Sequence, residues 1–160
     1  MIHVIGFNVF LALCLLYSLR CGGQPERAAM LAQVGAATLT IIAIHTLPRF
    51  STFTGLAHAL FTIDVGLLLA LTALALRANR LWTIVLAGLQ LSTVIVHVSK
   101  AVVPALPAAS YGIFAQFWAW PMLITTLVGT RGHWARIRRF GQERDWKPLW
   151  LRSVPSGFTT

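Results

Sequence analysis

Acidic side chains are scarce in this sequence: 160 residues hold four Asp and Glu against thirteen Lys and Arg. Asp64 alone among the four lies deep inside an apolar run, so no second carboxylate is available at depth for a general acid/base pair. Glu143 and Asp145 sit among arginines and are expected to form surface ion pairs. Cysteine is rarer still: Cys14 and Cys21, without a CxxC, leave a disulfide framework or a thiol-redox centre without support. No GxSxG, no HExxH and no phosphate-cradling glycine loop occurs, which removes the common hydrolase, metalloprotease and nucleotide-binding signatures. Charged residues of all kinds make up 11% of the chain, against about a quarter in soluble domains.

What the chain has instead is apolar length. Its composition is 57% hydrophobic, more than a water-soluble core of this size can hide, and the alternative solvent is lipid. A helical span needs roughly 20 mainly apolar residues, and five runs of that kind fit, at about 2–19, 28–47, 54–76, 81–103 and 108–130. Gly22, Gly23 and Pro25 break the chain after the first, Pro48 closes the second, and the turn from Arg77 to Arg80 joins two antiparallel helices. Pro104 and Pro107 end the fourth, and Pro121 is expected to kink the fifth. Small residues (Ala29, Ala32, Gly35, Ala36, Ala43) recur along the second run and favour close packing in lipid, so this helix is expected at the centre. The first run lacks the basic region and small-residue cleavage site of a secretory signal and reads as a retained helix. The fold class is thus an all-α membrane protein: residues 1–130 form a compact bundle of five transmembrane helices, and residues 131–160 a basic, aromatic tail.

The net charge of +9 does not point to nucleic acid. Seven of the thirteen basic residues follow Gly129 and the others punctuate the ends of apolar runs, where orientation signals belong. With the N-terminus outside, eleven basic residues face the cytoplasm and only Arg49 and Lys100 face out, a positive-inside pattern suited to a bacterial inner membrane. In the tail, Arg136, Arg138 and Arg139 are interleaved with Trp134, Trp146 and Trp150. Cations and indoles together favour the headgroup layer, so the tail is expected to contact anionic lipid or a protein partner.

At about 1.5 Å of rise per residue, each polar group can be given a depth. His97 falls roughly 7 Å above the midplane, His45 and His3 roughly 10 Å, and His58 and Lys100 roughly 12 Å. Asn8, Asp64, Gln90 and Gln116 fall within about 5 Å of the midplane. A carboxylate so deep must be protonated, paired or in contact with water. The short turn before the fourth helix makes His97 and Lys100 the expected partners of Asp64, and Gln90, seven residues before His97, shares its face.

These residues admit several functions. The chain is expected to be a non-enzymatic accessory or scaffolding subunit of a larger inner-membrane complex of respiratory or photosynthetic type, with other membrane subunits or further copies of itself as partners. In that case Asn8, Gln90 and Gln116 contribute interhelical hydrogen bonds of about 0.6–2 kcal/mol each. The alternative reads His45, His58, Asp64, Gln90, His97 and Lys100 as a cofactor or ion site. Haem b needs two histidines at one depth on different helices. A quinone pocket would use His97 or Lys100 with Trp118 or Trp120. A metal would take His45, His58, His97 and Asp64, and a proton- or cation-coupled transporter would titrate Asp64.

Overall fold

The computed structural model describes residues 2–46, 53–103, 114, 116–141 and 145–146. Within them the protein is all-helical, with five helices: α1 (Ile2–Cys21), α2 (Gln24–Thr46), α3 (Phe53–Arg77), α4 (Leu81–Val102) and α5 (Ala119–Phe140). Three of these, covering Gln24–Thr46, Gly55–Arg77 and Leu81–Val102, are long and apolar enough to cross a membrane, while the apolar stretch Ile5–Cys21 of α1 is shorter. Trp150, the rest of the tail beyond residue 146, most of the stretch between 104 and 118, and the side chain of His3 lie outside the described residues.

The helices close into a ring, each packed on its neighbour in sequence and α5 returning to α1; α2 also reaches across to α5. The small residues of α2 do what their size allows: Ala29, with Ala32 and Ala36, lies against Leu67, Leu71 and Leu74 of α3, whereas Gly35 is exposed. On the other side of α2, Met30 packs with Leu11 and Cys14 of α1 and Leu123 of α5. The central position is therefore shared by α2 and α5, each of which touches three other helices.

Burial is inverted relative to a water-soluble bundle. The inward stripe of α4 is Thr83, Leu86, Gln90, Thr93 and His97, and that of α5 includes Thr126, Thr130 and His133. Large apolar side chains such as Ile5, Leu13, Leu69, Leu76, Ile84 and Val128 are more than half exposed. Water would penalise such a surface, and lipid solvates it.

Two helix boundaries depart from hydropathy. The fifth apolar run suggests a span at 108–130, yet α5 occupies Ala119–Phe140 and carries half its length into the basic segment. Apolarity ends near Gly129, but nothing after it breaks a helix until Gly141, whose φ of 77° stops α5 with its N–H on the Ile137 carbonyl at 2.9 Å. Pro121 falls in the first turn of α5, and a turn at Trp118 separates that helix from the helical residues 116 and 117 before it. Likewise α2 starts at Gln24, not near residue 28, and its first turn contains Pro25 and Glu26.

Candidate functional site

The α3–α4 pair brings Asp64, Gln90 and His97 together. His97 Nε2 lies 2.8 Å from Asp64 Oδ2, and Gln90 Nε2 donates to both Asp64 Oδ1 and the Asp64 carbonyl, each at 3.0 Å. Both carboxylate oxygens thus have a nitrogen partner on α4, and both amide protons of Gln90 are used on one residue. The side chain of His97 is 4% exposed and packs near the ring of Phe61, while that of Asp64 keeps 24% of its surface open. An imidazole and a carboxylate at this distance can hold one proton between them, and the open edge of Asp64 is where it would exchange.

A second polar centre, at the end of the bundle where the α1–α2 and α3–α4 turns meet, was not visible from residue depth. Glu26 is fully buried; its Oε2 accepts the N–H of Gly23 at 3.1 Å, the back half of a capping box on α2. Its other oxygen, Oε1, has no hydrogen-bond partner and faces Arg80 Nε at 4.0 Å. One terminal nitrogen of Arg80 donates to His133 Nδ1 at 3.0 Å and to Asp145 Oδ1 at 3.3 Å. Asp145 Oδ2 accepts the Gln24 N–H at 3.2 Å, so two carboxylates sit at the positive end of the α2 dipole. Trp146 completes the closure, its indole N–H on Gln24 Oε1 and its backbone bridged to Ala78. Gly23 makes this approach possible: a Cβ there would lie 2.6 Å from Asp145 Oδ1 and 2.8 Å from His133 Cε1.

Glu26, His133 and Asp145 present ligand atoms within 4.8 Å of one another, the spacing of a metal site. Arg80 already occupies that position as a fixed cation bonded to two of the three, so the group reads as an ionic lock built around a guanidinium. Between the two centres runs a thinner polar seam. Gln33 Nε2 donates to Thr126 Oγ1 at 2.8 Å. Thr130 Oγ1 donates to the Thr126 carbonyl at 2.9 Å, which leaves it to accept from Ser18 Oγ at 3.1 Å.

The remaining sequence-derived candidates disperse. His45 and His58 are exposed, and among the described residues neither belongs to a group of three ligands able to share an ion. Lys100 and Asn8 are half-buried and Gln116 is exposed. Trp120 stacks on Phe10 and meets Phe7 edge-on, both on α1. Asp145 forms no simple surface pair; it belongs to the Arg80 lock. Arg136 is half-buried, whereas Trp134, Arg138, Arg139 and Trp146 are exposed.

Read as sequence, Gly23 is only a chain break and Arg80 an orientation charge, and Glu26 and His133 carry no assigned role. The one local signal was Gly23 followed three residues later by Glu26 across a proline, a helix-start pattern. No protein-family model, no curated protein and no solved structure matches the chain.

Proposed function

We propose that the protein is a non-enzymatic integral membrane subunit: a five-span bundle of bacterial inner-membrane type, N-terminus outside, working by packing against other subunits of a larger assembly. The observation that carries this reading is Asp64, a quarter exposed on a pair of helices long and apolar enough to cross a membrane. Lipid is a poor neighbour for an open carboxylate, and a polar group on a partner helix would cover it. The gathering of the α1–α2 turn, the α3–α4 turn and residues 145–146 at one end supports the orientation, because it collects Arg20, Arg27, Arg77 and Arg80 with the arginines of α5.

Native gel electrophoresis of gently solubilised membranes tests the assembly. The protein should migrate in a complex well above its own 17.5 kDa, and Asp64→Leu should release it; migration as a lone chain in both forms would refute the reading. Cysteine labelling should reach position 51 from outside and position 79 only from inside.

A second reading is favoured by the Asp64–His97 hydrogen bond: a proton-handling component in which this pair exchanges a proton with water at the open edge of Asp64. Purified protein in liposomes should then dissipate a pH gradient, and Asp64→Asn should abolish the flux. A tight liposome with the wild-type chain excludes this alternative and leaves the subunit reading standing.

A further inference from the structure

Three of the four acidic residues of the chain fall within the described residues, and all three are engaged away from the outer face of α5. Asp64 is held by His97 and Gln90, Glu26 by Gly23 beside Arg80, and Asp145 by Gln24 and Arg80. On that outer face, Arg131, Trp134, Ala135, Arg138 and Arg139 follow one another at helical spacing. With Tyr17 of α1 they line a cleft of about 360 Å³ that has no carboxylate among its described lining residues. Three guanidinium groups are thereby collected in one concavity without an acidic neighbour among the described residues, an arrangement that favours an anionic ligand.

The geometry also says what kind of anion. The Arg138 guanidinium carbon lies over the Trp134 ring, 3.6 Å from its centroid. Stacking uses the face of the cation and leaves its in-plane N–H fork free to point at a phosphate or carboxylate. Continuing the same α5 face one and two turns into the apolar half leads to Val128 and Ile124, and one turn back from Tyr17 on α1 lies Leu13. All three are more than half exposed. The face is therefore aliphatic at one end and cationic, with Tyr17 and Trp134 interleaved, at the other, the two-part polarity of a phospholipid.

We propose that this cleft binds the phosphate of an anionic phospholipid, with Arg131, Arg138 and Arg139 around the headgroup and the acyl chains laid along Leu13, Ile124 and Val128. The assignment rests on the membrane reading above. It goes beyond a tail lying on the bilayer, because it names one built site between α1 and α5.

The test uses the full-length protein in a mild non-ionic detergent, with thermal stability followed as lipid is added. Dioleoylphosphatidylglycerol should raise Tm saturably, and dioleoylphosphatidylcholine or inorganic phosphate should not. Arg131→Gln/Arg138→Gln should weaken the apparent affinity by about tenfold or more, since two charge-assisted contacts are lost. Arg27→Gln/Arg77→Gln, of equal charge loss outside the cleft, should leave it unchanged. If the Gln pair compromises folding, Arg131→Lys/Arg138→Lys keeps the charge, loses the fork, and should still weaken binding. An equal response to inorganic phosphate overturns the lipid assignment, and equal weakening by the control pair overturns the site. Protein that floats with liposomes yet ignores the headgroup refutes this proposal alone, whereas protein that fails to float refutes the membrane reading beneath it.

Discussion

A terminal nitrogen of Arg80 stands 3.0 Å from Nδ1 of His133, and because a guanidinium can only donate, that ring nitrogen is the acceptor. The neutral imidazole is thereby fixed in one tautomer, with its proton on Nε2, and the Cε1–Nε2 edge of the ring lies against Gly23. Four parts of the chain meet at this one cation: the first turn of α2, the start of α4, the distal half of α5 and residues 145–146.

Removing the cation should be costly. Arg80→Met leaves the Glu26 carboxylate, fully buried, without its countercharge, a change worth about 3–5 kcal/mol. Thermal unfolding in detergent should show the loss, and Glu26→Gln/Arg80→Met should recover most of it. A single variant as stable as wild type would mean that water, not Arg80, satisfies Glu26.

Gly23→Ala should pry the same end open. The new methyl group would overlap the Asp145 carboxylate and the buried His133 ring, and overpacking of this kind costs about 1–3 kcal/mol. The Trp146 indole should become more accessible to iodide, read as the quenching difference between Gly23→Ala and Gly23→Ala/Trp146→Phe. No change in that difference would show that the segment can shift without leaving Gln24.

Asp64 and His97 should be strongly coupled. A double-mutant cycle with Asp64→Ala and His97→Ala is expected to give about 1–3 kcal/mol, above the mean of about 0.6 kcal/mol for interhelical hydrogen bonds in a bilayer. A value at or below that mean would reduce the pair to an ordinary interhelical contact.

Gly129 of α5 lies against Trp82 of α4, and a Cβ there would come within 2.6 Å of the Trp82 ring. Gly129→Ala should destabilise by about 1–3 kcal/mol, and Trp82→Leu in the same chain should give part of it back. If the second change adds to the damage instead, the two helices meet elsewhere.

The helices were legible because apolar length is a strong signal, and the Asp64–His97 pairing because a short turn fixes the register of two long neighbours. Depth is one coordinate only. His45, His58 and His97 share a height, yet a helix also has an azimuth, and the first two turn outward. The Arg80 lock was hidden for two reasons. Ending helices where apolarity ends put Glu26 in a loop and His133 in a tail, although helix propensity continues through both. Asp145 and Gln24 are 121 residues apart, a separation that no local pattern bridges.

That separation has a temporal meaning as well. When the first four helices have left the ribosome, the N–H of Gln24 still lacks Asp145, and Arg80 still lacks His133. The seal at this end of the bundle is made last, by a segment that cannot exist until residue 146 has been added. Until then the first four helices are held by their apolar faces, the Asp64–His97–Gln90 hydrogen bonds and the Glu26–Arg80 pair, and α5 arrives as the piece that closes the ring.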